Sequence, residues 1–318
     1  MHVLITGGAG FIGSHLAEAM LNQGRRVTIV DNLSTGSLKN IDDLLGKKNL
    51  CFVHETIMNE TVMDRLVSEC DVIIHLAAAV GVELIIKDPV LTIETNLLGT
   101  EMVLKMARRY RKKVLLASTS EVYGKNGSDA FEEGDDRLYG PTTKNRWCYA
   151  ESKVIDEFLA FAYHKQFGLQ VIICRFFNTV GLRQTGSYGM VIPRLVSQAI
   201  RGEPLTVYGD GQQSRCFCNV RDVIRAIITL IDEPKAIGEI FNIGSQEEVT
   251  IMELAERILR ISGSKSSIVK IPYNKAYEEG FEDMQKRVPK IEKIWKIIGW
   301  KPSIVLDDTL VEIISKSH

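Results

Sequence analysis

The segment Thr6-Gly7-Gly8-Ala9-Gly10-Phe11-Ile12-Gly13 constrains this chain more than any other. It directly follows the short apolar run Val3-Leu4-Ile5 and opens an amphipathic stretch, so it reads as a strand–turn–helix junction. Gly7, Gly10 and Gly13 are spaced GxxGxxG: the first permits a tight turn, the second admits a pyrophosphate close to the backbone, and the third lets helix pack on strand. The helix N-terminus then offers free N–H groups and a partial positive charge to an anion. Asp31 ends the next apolar run, about 20 residues on, where a carboxylate can take both ribose hydroxyls. Its charge repels a 2′-phosphate, which favours NAD over NADP.

The rest of the N-terminal half keeps the same rhythm. Strands are predicted at residues 3–6, 26–30, 50–53, 72–76, 114–117 and 170–175, with helices near 11–22, 59–68, 90–109 and 149–166. Runs such as Val72-Ile73-Ile74 and Val171-Ile172-Ile173 are continuously apolar, as strands buried on both faces must be. This alternation predicts an α/β fold, a doubly wound parallel sheet of the Rossmann type. After Arg175 the rhythm loosens into Gly-rich turns, so residues 1–175 are expected to form the NAD-binding domain. Residues 176–318 are expected to form a smaller substrate lobe, interleaved with it by segments from about 212–242.

A formal net charge of -1 gives no overall pull toward nucleic acid or anionic membrane. No apolar run reaches the roughly 20 residues of a membrane span, and the N-terminus lacks signal-peptide regions, so a cytoplasmic location is expected. Six cysteines without a CxxC suit reduced thiols, and no metal site is expected.

Tyr149-Ala150-Glu151-Ser152-Lys153 sets a phenol and an ammonium one helical turn apart on one face. An ammonium so placed is expected to depress the phenol from about 10 toward neutrality, making it a general base. Upstream, Val114–Ala117 runs into Ser118, Thr119, Ser120 and Glu121, hydroxyls and a carboxylate at a strand's carboxyl end, which faces the ligand crevice in such sheets.

Together these residues resemble the extended short-chain dehydrogenase/reductase family of nucleotide-sugar epimerases, dehydratases and decarboxylases. The likeness continues through His75-Leu76-Ala77-Ala78, Asn96-x-x-Gly99-Thr100, Arg175-Phe176-Phe177-Asn178, residues 202–209 and Arg221-Asp222-Val223. It implies that Tyr149 takes the proton from a sugar O4–H while C4 passes hydride to NAD, and that Lys153 tunes Tyr149 and holds the nicotinamide ribose. It also implies cofactor contacts from Gly7, Gly10, Phe11, Ile12, Gly13, Asp31, Asn32, Leu76, Ala77, Ala78, Asn96 and Ser118. Asn178, Val191, Arg194, Tyr208, Arg215 and Arg287 are implied to bind the nucleotide-sugar, UDP being the favoured nucleotide. Family members pair two long helices per subunit, so a homodimer is implied.

The 4-keto intermediate leaves several outcomes open. A 4,6-dehydratase of this family places Asp-Glu at the strand end, but Ser120 stands at the first position, so dehydration lacks its acid. A hexuronate oxidised at C4 becomes a β-keto acid that loses carbon dioxide, and Thr119, Ser120 and Glu121 with Arg215 can serve the C5 chemistry. Residues 116–124, 140–153, 202–209, 215–217 and 283–289 resemble UDP-glucuronate decarboxylases, whereas residues 184–194 are closer to 4-epimerases. Decarboxylation is the leading expectation, UDP-sugar 4-epimerisation the alternative, and a non-catalytic NAD-binding role a distant third.

Overall fold

A computed structural model describes the whole chain except residues 82–84, 86–87, 187–189, 273–283, 285 and 317–318. Ser187, Tyr188, Gly189 and Asp283, which carry part of the resemblance, lie outside the described residues.

Short strands and helices alternate through the first half: β1 (His2–Thr6), α1 (Phe11–Asn22), β2 (Arg26–Asp31), β3 (Leu50–His54), α2 (Glu60–Glu69), β4 (Val72–His75), α3 (Pro89–Tyr110), β5 (Lys113–Thr119), α4 (Cys148–Phe167) and β6 (Val171–Phe176). Local chemistry sets the ends of the long helices. Asp88 caps α3, accepting from Leu91 N, with Pro89 in its first turn. α4 stops at Gly168, which takes a left-handed conformation (φ 67°).

The chain then leaves the sheet to form β7 (Thr179–Val180), α5 (Val191–Ile200), β8 (Leu205–Tyr208), β9 (Ser214–Cys216) and β10 (Cys218–Asn219). It returns through α6 (Val220–Asp232), which packs beside α1, and β11 (Glu239–Ile243), which pairs parallel with β6. The remaining elements are β12 (Glu248–Thr250), α7 (Ile251–Ser262), β13 (Ile268–Ile271), α8 (Glu292–Ile298) and α9 (Leu306–Ser315).

The central sheet has seven parallel strands in the order β11-β6-β5-β4-β1-β2-β3. Period-two alternation divides its side chains between two cores. Val3, Ile5, Ile172 and Cys174 pack with α1 and α6, while Leu4, Val171 and Ile173 pack with α2, α3 and α4. A third core, including Leu195, Val207, Leu254, Ile258 and Leu310, holds the smaller lobe together. Strand order reverses between β1 and β4, so the crevice above their carboxyl ends is where such sheets take a ligand.

Candidate active site

The glycine turn sits in that crevice. Gly7 adopts φ 70°, and a Cβ there would meet Ala77 N at 2.8 Å; a Cβ on Gly13 would meet Gly7 O at 2.3 Å. Only glycines let the turn, the start of α1 and the loop after β4 approach so closely. No side chain caps α1 and no acid lies in its first turn, so the N–H groups at Phe11, Ile12 and Gly13 are left to a ligand. Asp31 is buried at the end of β2, where Oδ2 accepts from Ala9 N (2.9 Å) and Oδ1 from Leu33 N (2.8 Å). A carboxylate has about four lone-pair sites, so capacity remains for ribose hydroxyls. Asn32 follows it, and Leu76, Ala77 and Ala78 form the opposite wall, with Ala77 N donating to Thr6 Oγ1 (3.2 Å). Bare helix N–H groups, a glycine cradle and a strand-end carboxylate fit NAD.

Two residues assigned to the cofactor have their polar atoms engaged within the protein. Asn96 Oδ1 accepts from Ala79 N (2.8 Å), and its amide nitrogen donates to Ala79 O (3.3 Å) and Ser152 Oγ (3.1 Å). Asn96 therefore ties the loop after β4 to α4. The Ser118 hydroxyl donates to Glu157 Oε1 (2.5 Å), part of a buried network. There Glu157 takes Arg175 Nε and Nη2 (3.0 and 2.7 Å), Arg175 Nη1 donates to Tyr123 Oη (2.9 Å), and Tyr123 Oη donates to Asn242 Oδ1 of β11 (2.7 Å).

Tyr149 and Lys153 stand one turn apart near the start of α4, both buried. The strand β5 delivers Thr119 to the phenol, which it hydrogen-bonds, and Thr119 Oγ1 also accepts from Glu121 N (3.2 Å) as the chain turns through Ser120–Tyr123. Ser120 Oγ is fully buried and has no hydrogen-bond partner among the described residues. Contrary to the expectation from the sequence, the phenol is not depressed. Burial pushes it well above its usual value and the Glu121 charge pushes further, against the Thr119 hydrogen bond. The Lys153 ammonium is meanwhile directed at Asp156 Oδ2 (2.8 Å).

Glu121 is gripped by two arginines. Its Oε2 accepts from Arg146 Nη1, and Arg287 Nη1 lies 3.3 Å from Oε1. Burial raises this carboxyl, but Arg146 and Arg287, with a smaller contribution from Arg215, outweigh it and hold it at about 2. Glu121 thus stays ionised at neutral pH, a fixed negative charge and not a proton donor. Three buried arginines against one carboxylate leave the pocket positive, so it attracts a second carboxylate and does not repel one. Arg146 was missed from the sequence as a site residue; its one signal is its place three residues before Tyr149 in the Lys144-x-Arg146-Trp147 stretch.

Asn178 reaches Cys216 O through its amide (3.3 Å), beside the Arg215 strand. Val191, Arg194 and Tyr208 gather instead in the smaller lobe. Val191 begins α5, Arg194 stacks over the Tyr208 ring at 4.2 Å, and its Nη1 donates to Thr206 O (2.7 Å). An aromatic–guanidinium stack of this kind offers a flat face to a nucleobase.

The family model described as GDP-mannose 4,6 dehydratase matches residues 4–313. The chain belongs to this family. Within it, the chain is 46% identical over 312 residues to the UDP-N-acetyl-alpha-D-glucosaminuronate decarboxylase of Bacillus cytotoxicus, covering 98% of this chain and 96% of that protein. It is 38% identical over 311 residues to the UDP-glucuronic acid decarboxylase 1 of Danio rerio, covering 97% of this chain and 70% of the relative. Among solved structures, the UDP-glucuronic acid 4-epimerase of Bacillus cereus, in complex with UDP-glucuronic acid and NAD, matches with a TM-score of 0.89 at 31% identity over the full length of both chains. The chain is thus similar both to decarboxylases and to a 4-epimerase of UDP-hexuronates.

Proposed function

We propose that this chain is an NAD-dependent decarboxylase of a UDP-hexuronate, with Tyr149, Lys153 and the Arg146–Glu121–Arg287 clamp as its reaction centre. The clamp is the observation that carries the reading. A plain 4-epimerase needs no carboxylate here, and a dehydratase needs an acid where Ser120 stands. When bound, NAD supplies the hydride acceptor for C4 and a positive ring that favours ionisation of a nearby phenol.

Tyr149 receives the O4 proton, and Lys153 holds the nicotinamide ribose and fixes the phenol's surroundings. Arg215 and Arg287 orient the sugar carboxylate, which the net positive pocket draws in. Once C4 is a ketone, the C5–C6 bond breaks, carbon dioxide leaves and the bond electrons pass to the C4 oxygen as an enolate. The same arginines stabilise that charge, and C5 regains a proton from solvent. The C4 ketone then takes the hydride back while Tyr149 returns its proton to O4, so the only net loss is carbon dioxide. The Arg194–Tyr208 stack carries the nucleobase, and Asn178 the diphosphate.

The B. cytotoxicus relative's name carries a C2 N-acetyl group, and that of the D. rerio relative a plain glucuronate. Purified protein with NAD is expected to convert one or both of UDP-glucuronate and UDP-N-acetylglucosaminuronate to a product lighter by one carbon dioxide, by mass spectrometry. A mass-neutral product from both overturns decarboxylation in favour of 4-epimerisation, the reading supported by the B. cereus neighbour.

A homodimer accompanies this reading. On α3, Val90, Leu91, Ile93 and Leu98 face outward, and on the adjoining α4 Ile155 and Phe158 do the same, Val90 and Phe158 both 62% exposed. Two long neighbouring helices with apolar outer faces match a self-complementary two-fold contact. Light scattering is expected to give twice the 35.6 kDa chain mass, and Phe158→Glu to give the monomer.

Among the described residues, no helix is long and apolar enough to cross a membrane. A cytoplasmic location is part of the proposal.

A further inference from the structure

Lys153 is one end of a line of buried polar groups that the reaction scheme leaves unused. Its Nζ donates to Asp156 Oδ2 at 2.8 Å, and neither side chain is more than 3% exposed. The Thr100 hydroxyl of α3 lies against the same carboxylate, without a well-formed hydrogen bond to Oδ1. Thr100 Oγ1 is 3.1 Å from His75 Nε2, and His75 Nδ1 is 2.8 Å from Thr6 Oγ1. Thr6 Oγ1 in turn accepts from Ala77 N, on the wall of the glycine turn.

Both ring nitrogens of His75 are thus engaged by threonine hydroxyls, Nδ1 by Thr6 and Nε2 by Thr100. His75 is fully buried, and burial followed by the Lys153 charge lowers it to about 3, so it stays neutral. The line carries no net charge of its own until it reaches the Lys153–Asp156 pair.

A lysine beside a catalytic phenol acts through its positive charge. Here that charge is met on the far side by a carboxylate that a solvated lysine would not have. We propose that Asp156 is a positioning residue for Tyr149 and Lys153: it anchors the ammonium at the head of the line from the nucleotide turn, and its negative charge limits how strongly the ammonium acts on the phenol. The proposal rests on the Tyr149/Lys153 reading above.

The groups acting on the phenol are Asp156 from its own helix, Arg146 from the turn before it, and Thr119 and Glu121 from the end of β5, with Lys153 one turn along the same helix. Of these, Glu121 and Asp156 oppose its ionisation and Arg146 favours it. Removing the Asp156 charge leaves the Lys153 charge uncompensated, so ionisation of the phenol becomes easier.

Asp156→Asn, with Asp156→Ser as the second variant, tests this in enzyme whose fold is checked by circular dichroism. The acid limb of kcat/KM is expected to move down by about one pH unit, read on whichever UDP-sugar the wild type oxidises at C4. In nucleotide-free protein, the near-ultraviolet ionisation of Tyr149, taken as the difference from Tyr149→Phe, is expected to move the same way. A limb and a phenol midpoint that both stay put, or move up, in a folded variant overturn the proposal. A wild type that oxidises no UDP-sugar overturns the functional reading instead, and the phenol titration still decides the role of Asp156.

Discussion

Tyr149→Phe lowers kcat by roughly 10³-fold, within the 10²–10⁴ range of a lost general base, while NAD and UDP-sugar affinity stay within a few-fold. That corresponds to about 4 kcal/mol of barrier. The phenol ring is buried against the end of β5, so phenylalanine fills the same space and only the hydroxyl is lost. The loss falls on the first step, because no other group described here is placed to accept the O4 proton. Single-turnover NADH absorbance measures it, since the variant forms almost no reduced cofactor. A binding protein would be indifferent to the change, so turnover within tenfold of wild type would remove Tyr149 from the mechanism.

Glu121→Gln separates the two halves of the reaction. Carbon dioxide release falls by about 10²-fold or more, because Arg146 and Arg287 lose the charge that fixes their orientation. C4 oxidation is spared and even eased, since the Glu121 charge helps to hold the Tyr149 phenol up. Reduced cofactor and a 4-keto hexuronate therefore accumulate, visible as a persistent NADH signal without matching gas release. Because the arginines hold the wild-type carboxyl at about 2, its titration lies below the neutral pH range and leaves no limb there. Parallel loss of both signals would mean that Glu121 supports the fold of the site and not its second step.

The six strands predicted in the N-terminal half lie within about two residues of their positions in the sheet, because each is a local apolar run bounded by turns. The GxxGxxG turn and Asp31 were legible for the same reason: their chemistry is written in consecutive residues. What local pattern did not carry were the partners across the fold. Nothing around Arg146 says that it turns back to Glu121, 25 residues earlier. Nothing around Lys153 says that a carboxylate three residues on will be sealed from water beside it. The expectation of a depressed phenol failed on this point, since the sequence shows the ammonium but not its counter-charge or the depth of burial. Asn96 and Ser118 likewise carry the family's signature, but their side chains are used to brace α4 and β5.

The seventh strand of the central sheet arrives only after the excursion through the smaller lobe. Until residue 243 has left the ribosome, β6 is an open edge with unpaired backbone groups, and Asn242 is absent from the network that closes over Tyr123 and Arg175. A chain cut after β6 therefore displays a sticky, continuously apolar strand to its neighbours. Synthesis from the N-terminus makes the nucleotide turn first and the protected sheet last, so this protein relies on holding that edge soluble through the intervening stretch of translation.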